Sequence, residues 1–549
     1  MSLKTPTKIA ALLVSTVLAG SLLACATKME LPATDTESTI VWAVAGGNLA
    51  NGHLDPHSSQ LNISGQVQRN VFDSLVYLAA DGTYHPWLAK DWTISADGLE
   101  YRFNLREDVS FHDGEKFNAA AAVSNFNHIV DKNTASAKAY EYLGGEFFVE
   151  AKAVEEYVLV LQLSQPFAPL LSNLSTAFIG FYSPKALSEH SQDEIRAGGP
   201  GIQVGTGPFI LTEYLPNQEL VYTRNDAYNW GPEGFGHEGA AAAKELVVRI
   251  VPEEASRIGA LSSGEVQVSI DLSSTALCQL SSEVLVKRAP IPGLPYSVYL
   301  NLERGVFKEL AVREAFMYAL NLDQDVKAAF GGAYQRAWSI LSPSVPNAYD
   351  KSLEGSWKFD AAKAAKLLDD AGWTEKGSDG IRVKDGQRLS VDWLSWNPYS
   401  DQNYALVNFM VEDLKAIGFE LVHEAIEGPA YQARYSDKDG LILDFDLTDW
   451  SYTSLDADAL RNHLHSAGYQ NASRLADPEL DKLLEDAATA TDPAVRESLY
   501  AEVQAWNLKN VAIVPLYLPE VATGYLPSVQ GLVFDAFGWP LFYGAALTK

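Results

Sequence analysis

Residues 389–425, LSVDWLSWNPYSDQNYALVNFMVEDLKAIGFELVHEA, read as a strand, a helix and a second strand. Leu389–Leu394 and Glu420–Ala425 are apolar runs of strand length, and Asn403 to Ile417 has the pattern of a helix. Ser400 or Asp401 stands where an N-cap belongs, with a side-chain oxygen to accept from the free N–H groups of the first turn. Strand, helix and strand in succession imply a βα unit with parallel pairing. Outward from this unit the alternation continues, with helices expected at 311–319, 361–371, 479–488 and 494–509 and a strand at Leu441–Leu447.

The first half is richer in strands. Thr39–Val44, Leu99–Leu105, Ala153–Leu163 and Leu246–Val251 read as strands, and Phe209–Thr223 as two strands about the turn Leu215-Pro216-Asn217. Asp81-Gly82 and Asp97-Gly98 are hairpin signals. Val67, Val71 and Leu75 mark one face of a helix over Ile63–Leu75, Asn118 caps a helix over Ala119–Val130, and Glu253–Ser262 is a third. The Gly-rich stretch Gly198–Gly207 reads as a crossing between units.

At the N-terminus Lys4 and Lys8 precede the apolar run Ile9–Leu23, which has the length of a signal h-region rather than of a membrane span. The run ends at Leu22-Leu23-Ala24-Cys25, which resembles a bacterial lipobox and implies cleavage before Cys25 and diacylglycerol on its sulfur. The expected layout is therefore a signal peptide over 1–24 and a lipidated stalk over 25–38. Cys278 is the only other cysteine, so no disulfide framework is expected. The 549 residues suffice for two or more units with cores of their own. The formal charge is −29, and losing Lys4 and Lys8 takes it to −31. That balance argues against nucleic acid and against anionic membrane surfaces as partners, since both attract clustered Lys and Arg.

No stretch has the pattern of a catalytic or metal centre. HExxH, GxSxG and paired-cysteine signals are absent from the sequence. His112-Asp113-Gly114 reads as a turn, and Gly205-Thr206-Gly207-Pro208 lacks the lysine and spacing of a phosphate loop. His53 and His57 flank Pro56 in a turn, and His463 and His465 diverge on a helix, so neither pair is expected to hold a metal. No catalytic residue, metal ligand or cofactor is expected.

An ordered series of segments runs through the chain from about residue 40 to about residue 545. It comprises Phe72-Asp73-Ser74-Leu75-Val76, Pro86–Trp92 (PWLAKDW), Ser95–Arg106 (SADGLEYRFNLR) and Val109–Gly114 (VSFHDG). Gly205–Phe209, Arg224–Tyr228, Arg257–Val266 (RIGALSSGEV), Val312–Phe316 and Ile513–Tyr517 follow. The series resembles solute-binding protein family 5, the dipeptide, oligopeptide and nickel receptors of ABC importers. The resemblance implies an α/β, two-lobed periplasmic-binding-protein-like fold (type II, cluster C) with an extra domain inserted in lobe I. It places lobe I at 39–75, 195–278 and 505–549, the inserted domain at 76–194 and lobe II at 279–504. It implies a non-enzymatic, monomeric receptor that holds a peptide or peptide-like solute between the lobes and delivers it to permease and ATPase subunits. A nickel or other metal chelate, or glutathione, is the alternative solute, and a hydrolase the remote one.

The resemblance also names site residues. The strand carrying Phe445 and Leu447 is expected to end at Trp450, whose ring would face the cleft, with Ser451, Thr453 and Ser454 beside it. In peptide-binding members the third residue after this tryptophan is an aspartate that pairs with the ligand ammonium; here it is Thr453, with Asp456 and Asp458 nearby. Trp396, Asn397 and Tyr399 lie in a strand-to-helix loop at the C-terminal end of a strand, where α/β sheets gather ligands. Trp42 and Asn48, near the first strand, complete the set.

Overall fold

The computed structural model describes residues 33–46, 49, 53–79, 82–397, 399–437 and 440–549. The signal segment, Cys25, Asn48 and Asp81 lie outside the described residues.

Thr39–Val44 (TIVWAV) is apolar on both sides of the strand, as a strand covered on both faces must be. It pairs in parallel with Glu245–Ile250 on one side and with Val268–Ser269 on the other. The complete sheet has seven strands in the order Leu285–Pro290, Glu520–Tyr525, Val268–Ser269, Thr39–Val44, Glu245–Ile250, Glu219–Arg224 and Phe209–Leu215. The four-stranded antiparallel sheet of the inserted region, Ala89–Ile94, Glu100–Leu105, Val158–Leu163 and Phe148–Glu155, is backed by the helix Ala119–Val130. Asn118 caps that helix as expected, its Oδ1 accepting from the Ala121 N–H at 3.0 Å. One continuous apolar core joins the inserted region to the first sheet, through Phe72, Phe178 and Tyr182 among others. Ala153–Leu163, expected as one strand, is the end of one strand and the whole of the next, folded about Glu156-Tyr157.

The second sheet has six strands in the order Gln335–Arg336, Ile513–Leu518, Gly293–Leu300, Leu447–Thr453, Ser390–Asn397 and Glu420–Glu427. Ser390–Asn397 and Glu420–Glu427 run parallel in the register Ser390↔Glu420, joined by the helix Asp401–Ala416. That is the βα unit expected over 389–425, and Ser400 Oγ caps the helix by accepting from the Asn403 N–H at 3.1 Å. One face of the sheet (Val298, Leu300, Trp393, Leu447) packs against the helices Leu310–Ala319 and Asp401–Ala416. The other (Tyr299, Leu394) packs against the helices Pro478–Thr489 and Pro493–Asn510.

The chain crosses between the sheets where two neighbouring strands change sheet together. Leu285–Pro290 pairs with Glu520–Tyr525 in the first sheet, and its continuation Gly293–Leu300 pairs with Ile513–Leu518 in the second. The crossings are Ile291-Pro292 and Pro519, tied by the Ile291 N–H donating to the Pro519 carbonyl at 3.0 Å. Proline has no N–H to continue a ladder, so pairing lapses here and leaves a narrow, two-strand hinge. The expected changes at 278/279 and 504/505 both lie N-terminal of this hinge. Leu285–Pro290 belongs to the first sheet, and Pro493–Asn510 with Ile513–Leu518 to the second.

Candidate functional site

The strand Leu447–Thr453 sets the site, and it begins where the sequence expectation had it end. Leu441–Leu447 alternates like a strand, but Asn301 Nδ2 donates to the carbonyls of Leu443 and Phe445 at 3.2 Å each. Leu443 is left-handed at φ 52°, and Ile442, Leu443 and Asp444 donate to the carbonyls of Tyr435 and Arg434, so before Leu447 only Asp446 of this stretch bonds the strand Ser390–Asn397, its N–H on the Asp392 carbonyl. Trp450 is consequently in mid-strand. Alternation turns Thr448, Trp450 and Tyr452 to one face and Asp449, Ser451 and Thr453 to the other.

On its face Trp450 is half-buried and stacks on Tyr299 with ring centroids 4.0 Å apart and planes at 19°; His463 and Tyr435 lie about it at 6.1 and 5.9 Å. It therefore packs within the second lobe, in place of presenting its ring at the end of a strand. Trp42 is fully buried against Phe542, 5.0 Å away, inside the core of the first lobe. Both rings are packed, and both indole N–H groups are buried with no hydrogen-bond partner among the described residues.

On the opposite face Asp449 is a buried hub. Its Oδ1 accepts from Trp393 Nε1 at 3.0 Å and from Ser395 Oγ at 2.5 Å, and its Oδ2 accepts from Tyr399 OH at 2.9 Å and from Tyr296 OH. Burial and the facing carboxylate push both phenols far above the usual tyrosine range. Trp396 and Asn397, expected in a loop, are the last two residues of the strand Ser390–Asn397, and the four donors on one carboxylate fix this strand end and the following Tyr399. Asn397 Nδ2 donates to Glu427 Oε1 at 2.7 Å. Trp396 is 46% exposed and lies on Gly428, where a Cβ would stand 2.5 Å from the indole Cζ2. Gly428→Ala is expected to swing this indole outward at a cost of about 1 kcal/mol, read as a shift in tryptophan emission; an unmoved spectrum would contradict the contact.

Thr453 reaches the other lobe, accepting at Oγ1 from Asn62 Nδ2 at 2.9 Å. Ser454 closes a turn, its N–H on the Pro292 carbonyl and its Oγ on the Asp456 carbonyl. Ser451 is half-exposed on the strand. Neither nearby aspartate is free to take a ligand ammonium. Asp456 is held by Arg496 through contacts of 2.9 and 2.5 Å, and Asp458 by Arg461 through contacts of 3.0 and 2.7 Å.

The histidines go separate ways. His57 is buried between His128 Nδ1 and the Gly180 carbonyl, and burial lowers its pKa to about 4. His463 faces the Ala459 carbonyl, while His465 faces Glu485 and Asp481. Among the described residues no group of three or more His, Cys, Asp or Glu side chains is arranged to hold a metal ion, and no helix is long and apolar enough to cross a membrane.

A groove of about 480 Å³ opens between the inserted region and the second lobe, lined by Tyr140, Glu141, Phe147, Arg461, Asn462 and Tyr469 among others. The lobes meet around it. The Ala168 N–H donates to the Ala488 carbonyl at 3.0 Å, Gln402 Nε2 to Thr275 Oγ1 at 3.1 Å, and Asn462 Nδ2 to Glu141 Oε1. Sequence reasoning missed the helix Lys138–Tyr142 (KAYEY) that forms one wall. Its only signal is a lysine and a glutamate three apart in an otherwise apolar and aromatic turn.

The family model for bacterial extracellular solute-binding proteins, family 5 (Middle), matches residues 83–472. The nickel-binding periplasmic protein of Escherichia coli K12 is 30% identical over 514 residues, covering 91% of each chain. The structure of NikA from Brucella suis in complex with Fe(III)-EDTA superposes with a TM-score of 0.78 at 27% identity, covering 93% of this chain and all of that one. The periplasmic binding protein DppA from Helicobacter pylori in complex with the peptide STSA gives 0.76 at 25% identity, covering 94% and 99%. With the two-sheet architecture and its paired crossings, these matches place the chain in a family: it belongs to the bacterial extracellular solute-binding proteins of family 5.

Proposed function

We propose that this chain is the solute receptor of an ABC importer, capturing a peptide or peptide-like molecule between its lobes and passing it unaltered to a permease driven by ATPase subunits. The observation that carries the reading is the groove of about 480 Å³ bounded by both lobes, which are joined by the narrow crossing at Ile291-Pro292 and Pro519. Closure of two lobes supplies polar partners from both sides of a small solute and excludes water from it. The receptor acts outside the cytoplasm as a monomer, tethered by lipid on Cys25. A solute that binds only the folded chain stabilises it, by about 2.7 kcal/mol at a hundredfold excess over Kd. Thermal unfolding with dipeptides, tripeptides, glutathione and nickel–histidine is expected to show such a rise for a peptide-like solute, which is then recovered intact. Hydrolysis of the solute would overturn the reading.

A metal chelate is the second reading, favoured by the 30% identity to the nickel-binding protein. With no three-ligand cluster among the described residues, the metal would arrive wrapped in its own donors. Elemental analysis of the purified protein, with and without added chelators, separates the two.

A further inference from the structure

Lys138 and Glu141 lie one helical turn apart in the helix Lys138–Tyr142; Glu141 lines the groove, and Lys138 is buried beside it. The Lys138 side chain is only 3% exposed. Its Nζ sits 4.1 Å from the ring centroid of Phe178 and 5.6 Å from those of Tyr142 and Tyr452, the last of these reaching over from the second lobe. Rings can hold an ammonium in place, but they leave its three N–H donors unused. Glu141 Oε1 accepts from Asn462 and the Tyr469 hydroxyl stands within hydrogen-bonding reach of the carboxylate, while Oε2 is buried and makes no hydrogen bond of normal geometry among the described residues. The two opposite charges do not pair with each other. Burying both ions unpaired is costly, and a solute that carries their complements relieves both at once.

We propose that Lys138 and Glu141 are the charge-reading pair of the cleft, and that the solute is zwitterionic, an amino-acid- or peptide-like molecule whose carboxylate meets Lys138 Nζ and whose ammonium meets Glu141 Oε2. The inference rests on the solute-receptor reading above. It assigns recognition of the solute's ends to the inserted region, where the strand end offers Thr453 and the two neighbouring aspartates are already held by arginines.

The acid–base behaviour agrees. Burial raises Glu141 to about 7, against the opposing Arg461 and Lys138 and in concert with Asp458, and burial lowers Lys138 to about 8, with Glu141 opposing. Tyr142, Tyr452 and Tyr469 around the pair stay neutral in this range, and Glu146, Arg461, His465 and Glu485 line the same groove. Affinity for a zwitterion should therefore peak between about pH 7 and about pH 8, falling below as Glu141 takes up a proton and above as Lys138 gives one up. Stability of the solute-free chain runs the other way. A carboxyl raised by folding and an ammonium lowered by folding both cost stability near pH 7.5, so Lys138→Met and Glu141→Gln should each melt at or above the parent temperature.

The test uses the mature chain, calorimetry and thermal unfolding, with alanyl-alanine, glutathione and histidine as probes beside N-acetylated and C-amidated forms of each. At least one free zwitterion is expected to bind, and capping either end should weaken it tenfold or more. Lys138→Met should lose at least tenfold for the free form and nothing further on amidation; Glu141→Gln should behave likewise toward acetylation. The capped-solute comparison on the parent chain stands even where a variant fails to fold. Equal binding of free and capped forms, parental affinity in both variants, or variants that melt lower and bind normally would overturn the pair. Binding of a metal chelate without zwitterion dependence overturns the pair and leaves the receptor reading intact; no binding by any peptide, zwitterion or chelate overturns both.

Discussion

Trp450→Ala is expected to lower the unfolding free energy by about 3 kcal/mol, because the indole is a packing element of the second lobe. Its ring lies 4.0 Å from that of Tyr299 in a near-parallel stack, with Tyr435 and His463 closing the remaining sides. Truncation removes these contacts and leaves a void between the sheet and the helix Ala459–Leu464, which is too short to collapse into it. Urea unfolding of the mature chain checks this. A variant that keeps the parent midpoint while losing solute affinity would return Trp450 to the cleft.

Asp449→Ala should cost more, about 3–5 kcal/mol, since it strands Trp393 Nε1 and the hydroxyls of Ser395, Tyr399 and Tyr296 around an empty acceptor site. Each lost bond to a charged acceptor is worth about 1.5–3 kcal/mol, and the sum is reduced because losses within one hydrogen-bond network are not additive. Asp449→Asn keeps the shape and one acceptor, and should lose about half as much. The same substitutions free Tyr399 and the strand end carrying Trp396, so any solute contact at the sheet edge weakens with stability. A loss under about 1 kcal/mol in Asp449→Ala would show that the four donors find other partners.

What could be read from the sequence was what local pattern specifies. The strand–helix–strand over 389–425, with Ser400 at the cap, needed only apolar runs and a capping residue, and its two strands pair in parallel as expected. The hinge was not legible there. Leu285–Pro290 reveals its sheet only through pairing with Glu520–Tyr525, far away in the chain. The phase of the strand through Trp450 failed for a related reason: a distant side chain, Asn301, satisfies the backbone of Leu443 and Phe445, so good alternation over 441–447 produced no strand there. Trp396, Asn397 and Tyr399 stand at the C-terminal edge of the sheet as the βα unit implies, but Trp396 and Asn397 are paired strand residues and not a loop. Sequence reasoning missed Lys138 and Glu141 because a five-residue helix carries almost no periodic signal, and because charge in a turn ordinarily means solvent. Only the closure of the second lobe over that turn makes the two charges informative.

The most direct measurement is calorimetric titration of the mature chain with peptides, glutathione and nickel–histidine, followed by recovery of the bound solute. The account predicts saturable one-to-one binding of a peptide-like solute that is returned chemically unchanged. Binding of none of these, or recovery of a cleaved product, would contradict it.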